Sequence, residues 1–304
     1  MPVAIVPDGL ADMRADVGTA RLFGISRSRV EQAAERGMLL LDGVPVSKAQ
    51  KLRAGSMVEV DIEEPRSVEI RPMLVEGMRI VYDDADLIVV DKPAGIAAHP
   101  SLGWDGPSVS EHLIAAGFEV CACGPVERKG IVSRLDVGTS GLMVVAKSEM
   151  AYSALKRAFS GRDVHKVYHT LVQGYPQPQE GTIDAPIAHA KTDAWKMAVE
   201  AHGREAITHY SLLETLFRAS LLSVRLETGR THQIRVHMAA IRHPCVGDLL
   251  YGGDPALAEE LGMTRQWLHA VELGFIHPRS GAEVSFRSEY PPDLTHALDL
   301  LRSN

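Results

Sequence analysis

Residues 131–147, Ile131-Val132-Ser133-Arg134-Leu135-Asp136-Val137-Gly138-Thr139-Ser140-Gly141-Leu142-Met143-Val144-Val145-Ala146-Lys147, constrain this chain more than any other stretch. The run Leu142–Ala146 is apolar and rich in β-formers, which predicts a buried strand. The Gly138-Thr139-Ser140-Gly141 turn before it needs residues that allow unusual backbone angles or close approaches. An arginine and an aspartate, Arg134 and Asp136, therefore sit in a loop fixed by a rigid strand, where reactive side chains are usually held. A β-turn in which Asp136 does turn chemistry and Arg134 pairs with it accounts equally well for the spacing alone.

The 304 residues suffice for about two domains with separate cores. No apolar run approaches the ~18 residues of a membrane span. The first residues lack a basic segment followed by a long apolar core, so no secretory signal is expected and a cytoplasmic location is. Cys121, Cys123 and Cys245 make no disulfide framework and read as ordinary thiols of a reducing compartment. The 13 histidines are scattered, with no His-Glu-x-x-His pattern, so no metal site is expected.

The net charge of −7 argues against a strong nonspecific nucleic-acid binder, but its distribution is uneven. Residues 14–53 carry eight basic side chains against four acidic ones. Ser26 is a candidate N-cap for a short helix that Gly37 ends. Met38–Leu41 reads as a strand, Asp42-Gly43 as a hairpin turn, and Gly55–Ile62 as a further, alternating strand. This stretch resembles the S4 RNA-binding domain in Ser26-Arg27-Ser28-Arg29-Val30, in the Gly37 to Val46 hairpin and in Leu52-Arg53-Ala54-Gly55-Ser56-Met57-Val58. The resemblance implies RNA-phosphate contacts from Arg27, Arg29, Lys48, Lys51 and Arg53, which position a substrate without reading its sequence. Residues 63–77, polar with prolines, read as a linker.

Further motifs follow in order. Asp91-Lys92-Pro93-Ala94-Gly95 ends a predicted strand and reads as a scaffold. Ser148–Ser160 is helical in pattern. His165–Gly174 alternates as a strand carrying Tyr168, and Leu221–Glu227 reads as another. Thr228-Gly229-Arg230-Thr231-His232-Gln233-Ile234-Arg235-Val236-His237 comes next, then His243-Pro244-Cys245-Val246-Gly247-Asp248. Together with Arg134-Leu135-Asp136-x-x-Thr139-Ser140-Gly141, these stretches resemble the RluA-type pseudouridine synthases over essentially the whole of residues 78–304. Two positions depart from the family pattern: Ser133 stands where that family usually has histidine, and Thr170 where it has alanine.

The resemblance implies an α+β fold: a mixed, mostly antiparallel bent sheet, preceded by a small N-terminal α/β domain over residues 1–62. It implies isomerisation of uridine to pseudouridine in RNA, most directly 23S-type ribosomal RNA, by a monomer that uses no cofactor. Asp136 would act at the ribose, as nucleophile at C1′ or as base. Tyr168 would face the base, with a ring to stack and a hydroxyl to pass a proton. Arg235 would pair with Asp136, with Arg225 and Arg230 as other candidates. Arg134 would fill the space left by a flipped-out uridine and touch phosphate. A transfer-RNA modifier, or an RNA-binding assembly factor with an inactive second domain, are the alternatives. An aspartate-based hydrolase lacks a second general base at any suitable spacing.

Overall fold

A computed structural model describes residues 2–62, 70–101, 103–190 and 196–303. Residues 63–69 of the expected linker lie outside this range. The chain divides into two compact units, 1–67 and 68–304. No helix among the described residues is long and apolar enough to cross a membrane.

The first unit contains β1 (Val3–Ile5), α1 (Ala15–Phe23), α2 (Arg27–Glu35), β2 (Leu39–Leu41), β3 (Val44–Pro45) and β4 (Met57–Val60). Its antiparallel sheet has the order β1-β4-β2-β3. Asp42 and Gly43 both have positive φ, as a two-residue hairpin turn requires. Ser26 occupies the N-cap position of α2, but its hydroxyl faces Ser28 Oγ at 3.3 Å and caps no backbone N–H. Val30 and Ala33 of α2 pack on Leu39, Leu52, Val58 and Val60.

The second unit runs β5 (Arg79–Asp83), β6 (Leu87–Lys92), α3 (Val109–Ala115), β7 (Ser140–Ala146), α4 (Glu149–Gly161), β8 (His165–Gln173), β9 (Glu180–Asp184), β10 (Ile187–His189) and β11 (Met197–Val199). It continues with β12 (Ile207–Leu216), β13 (Ala219–Leu226), α5 (Gln233–Ala240), α6 (Pro255–Glu260), β14 (Leu268–Ile276), β15 (Glu283–Arg287) and α7 (Pro292–Arg302). Nine of the strands form one sheet in the order β5-β6-β7-β14-β8-β13-β12-β9, with β15 beside β14. Side chains alternate across it as strand geometry demands. Leu87 and Val89 of β6 pack with α4, while Ile88 and Val90 pack with α3.

Every pairing in this sheet is antiparallel except one. β7 meets β14 in parallel, at Ser140–His269 and Gly141–Ala270. Beyond a register shift between Ala270 and Glu272, the same edge of β14 pairs with β15 instead. Bulges of this kind bend a sheet and re-aim side chains. The loop that carries Asp136 enters β7 at this seam.

Candidate active site

The loop before β7 is fastened from several directions. Leu135 is buried with α3 and β6, and its neighbours Arg134, which is exposed, and Asp136 both line a cleft. Thr139 N–H donates to Asp136 O at 3.0 Å, and Gly95 N–H donates to Val137 O at 2.8 Å. The fully buried Lys92 ammonium donates to Ile96 O at 2.8 Å, Pro93 O at 3.0 Å and Val137 O at 3.4 Å. Its three protons match these three carbonyls. Burial pushes Lys92 down to about 7, against the pull of the nearby Asp136 carboxylate. From the other flank, Arg265 donates to Gly138 O at 3.0 Å, and Gln266 to Thr139 Oγ1 at 3.2 Å.

Gly141, at φ +111°, shows why the turn needs glycine: a Cβ there would lie 2.3 Å from Ala270 O on β14. Any side chain would part the two-residue seam with β14. The scaffold reading of Asp91–Gly95 thus has a physical content, since that segment supplies two of the loop's anchors.

Asp136 lines a cleft of about 720 Å³. Its carboxylate is 3.5 Å from Arg235 Nη1 and 3.9 Å from His232 Nε2. Arg235 is therefore the arginine beside Asp136. Arg230 donates instead to Glu205 O, and Arg225 sits opposite Val167 on the neighbouring strand.

Arg235 has a second and stronger partner, Asp248. Nε and Nη2 form a two-pronged contact with its carboxylate at 2.6 and 2.9 Å, and Asp248 is almost wholly buried. Burial opposes the arginine's charge, but the hydrogen bonds and charge of Asp248 outweigh it and raise the pKa. Such a planar, bidentate pair fixes a guanidinium in space. One nitrogen remains to face Asp136. The guanidinium also stacks over the Tyr251 ring, 4.9 Å from its centre.

His232 reaches the site with strained backbone, at φ +56° just before α5. Its Nδ1 is 2.7 Å from the Tyr251 hydroxyl. Burial lowers its basicity, although Asp136 acts the other way. A residue held in the left-handed region costs about 1–3 kcal/mol and persists only where its surroundings impose it. Tyr168, on β8, packs between two core clusters and lines the cleft. Burial raises its hydroxyl well above the ordinary phenol value, and the Asp136 carboxylate adds to the shift. The phenol is accordingly protonated at neutral pH.

Asp136, Tyr168 and Arg235 are thus brought together, and Arg134 stands at the cleft wall beside them. Ser133 also lines this cleft. In the first unit the expected RNA contacts divide. Arg27 is 2.8 Å from the buried Asp16 and 3.0 Å from Glu31, while Lys48 is 2.9 Å from Glu35, so both are engaged within the unit. Lys51 and Arg53 are exposed, and Arg29 is half-buried on α2.

Asp248, His232 and Tyr251 escaped the sequence reading as site residues. The available signal was weak: a lone carboxylate, Asp248, set in the apolar stretch Cys245–Tyr251.

Comparison with known proteins identifies the family. Residues 86–240 match the RNA pseudouridylate synthase family model. An uncharacterised RNA pseudouridine synthase of Mycobacterium bovis is 55% identical over 298 residues, covering 98% of this chain and 97% of the relative. Ribosomal large subunit pseudouridine synthase D of Xanthomonas campestris is 40% identical over 311 residues, covering 99% and 92%. The human RNA pseudouridylate synthase domain containing 1 structure superposes with a TM-score of 0.58 at 29% identity, over 77% of this chain and 90% of that one. With its nine-stranded sheet, its cleft and relatives that match from end to end, the chain belongs to the RluA-type family of RNA pseudouridine synthases.

Proposed function

We propose that the protein converts specific uridines of large-subunit ribosomal RNA to pseudouridine, with Asp136 as the catalytic carboxylate acting on a flipped-out nucleotide. The observation that carries this reading is the incomplete engagement of Asp136. Its carboxylate lies 3.5 Å from Arg235 Nη1 and 3.9 Å from His232 Nε2, with no shorter side-chain contact among the described residues, and the residue lines the cleft. Relatives named for the D-type large-subunit activity support the choice of ribosomal RNA.

The reaction exchanges one glycosidic bond for another. The C1′–N1 bond breaks, the detached uracil turns, C1′ joins C5, and the C5 proton is lost as N1 gains one. Atoms and charge balance without an oxidant. Asp136 supplies the carboxylate that ribose chemistry needs, either bonding to C1′ or taking a ribose proton. Arg235, held by Asp248, keeps a positive charge beside it through every step. Tyr168 places a ring against the base. Its protonated hydroxyl serves as a relay, accepting the C5 proton only as it gives up its own. Drawing a uridine out of its stack costs a few kcal/mol, least in loops, and Arg134 is positioned to occupy the gap.

We further read residues 1–62 as an S4-like RNA-binding domain, with Lys51 and Arg53 as the contacts best supported by exposure. Release of tritium from C5-labelled uridine in a large-subunit RNA transcript tests the whole reading. The wild-type chain is expected to release it and Asp136→Asn is not. Equal release by both would remove Asp136 from the mechanism, and release only from transfer RNA would move the target.

A further inference from the structure

The cleft holds more positive charge than the isomerisation uses. Arg235 is committed to Asp248 and Asp136, and Arg162 to Glu205 and Glu227. Lys156 and Lys166 are different. Both line the cleft, and among the described residues neither forms an ion pair with a carboxylate. Each instead sits over an aromatic ring: Lys166 Nζ is 5.6 Å from the centre of Phe159, and Lys156 Nζ is 5.4 Å from the centre of Tyr152. A ring fixes an ammonium without neutralising it, so its charge stays available to an anion. Lys166 is partly withdrawn from water, which lowers its pKa with no acidic neighbour to offset the loss. An unpaired, partly desolvated cation facing an open cleft is costly to keep unless something anionic meets it.

Position identifies that anion. Lys166 and Tyr168 are two residues apart on β8 and line the same cleft, about 7 Å apart along the strand. That spacing is comparable with the step from one phosphate to the next in an extended strand. Lys156 and Tyr152 lie one turn apart on α4 and continue the same wall.

We propose that Lys166 and Lys156 form a phosphate-binding track for the RNA strand adjoining the target uridine, with Phe159 and Tyr152 setting the direction of the two ammonium groups. This rests on the reading of the cleft as the uridine site, which it deepens. The lysines hold backbone, so they add affinity without selecting sequence.

The test uses the full chain and total RNA from cells that lack the gene. For Lys166→Gln, the apparent KM should rise about tenfold with kcat within about threefold. The plot of log affinity against log salt should flatten by about 0.7, the value for one lost phosphate contact on a single strand. Lys156→Gln combined with Lys166→Gln should flatten it by about 1.4, while Lys166→Arg retains the wild-type slope. A wild-type slope in both glutamine variants, or a loss confined to kcat, overturns the track. Filter binding with the Asp136→Asn chain as background reads the slope without turnover. A wild-type chain that converts no uridine would therefore sink the activity reading, while the track would still stand or fall on its slopes.

Discussion

Asp16 in the first unit and Asp136 in the second both face arginines, and they are placed in opposite ways. Asp16 is fully buried in the first unit and is claimed by Arg14 at 3.0 Å and Arg27 at 2.8 Å, while also accepting the Val17 N–H. Asp136 is 17% exposed at its side chain and has one arginine contact at 3.5 Å. In the first case every lone pair is used and the carboxylate serves the fold. In the second the arginine is fixed by a different carboxylate, Asp248, and the aspartate keeps capacity for a substrate. What distinguishes the two carboxylates is how fully their oxygens are already engaged, which residue type does not reveal.

Substituting the less engaged member should have the largest effect. Asp136→Asn is expected to lower kcat by at least about a thousandfold, with the thermal midpoint close to wild type. A shared fall in both would make Asp136 a structural residue like Asp16. Asp248→Asn comes second. Removing one partner of a buried, bidentate pair leaves a buried charge uncompensated and should cost about 3–5 kcal/mol, read by chemical denaturation. Activity should fall with it, because Arg235 loses its fixed position. A variant with wild-type stability would show that Tyr251 and Asp136 alone hold the guanidinium.

The acid limb of stability gives a third, smaller contrast. The Arg14 hydrogen bond, joined by Arg27, outweighs burial and lowers Asp16 to about 2 from 3.8. A depressed carboxylate stabilises the fold fully above its unfolded value and loses that contribution as pH falls through its folded one. The Asp16 contribution should therefore be intact above pH 4 and vanish toward pH 2. Asp16→Asn should flatten that part of a calorimetric pH profile, and an unchanged profile would contradict the assignment.

The smallest effect concerns the first unit's cations. Lys51→Gln with Arg53→Gln should weaken RNA binding several-fold and leave stability unchanged, since both side chains are exposed. Arg27→Gln should do the reverse, because its guanidinium is spent on Asp16 and Glu31. Equal effects on binding would erase the distinction.

Much of the scaffold was legible because its signals are local. The apolar run of β7, the helical pattern of α4 and the alternation of β8 all fall where the sequence places them. Asp136, Tyr168 and Arg235 were singled out by motif resemblance, since spacing alone accounts equally well for Asp136 as a turn aspartate.

Other features were hidden for physical reasons. α5 buries every residue from Gln233 to Met238, so it has no polar face and no helical period to read. The Asp248–Arg235 pair joins a loop to a helix across 13 residues, and nothing local chooses Asp248 over other acids. The engagement of Arg27 and Lys48 is a tertiary matter that a count of basic residues cannot reveal. The division of the β14 edge between β7 and β15 depends on a bulge that the strand's composition does not announce.

The central claim, that the incompletely engaged Asp136 makes pseudouridine, is tested most directly by a pseudouridine map of total RNA from cells lacking this gene. The cells would be complemented with the wild-type, Asp136→Ala or Asp16→Asn chain at matched protein levels. The account predicts that specific large-subunit sites disappear on deletion and return with the wild-type and Asp16→Asn chains, but not with Asp136→Ala. Restoration of the same sites by Asp136→Ala would contradict it.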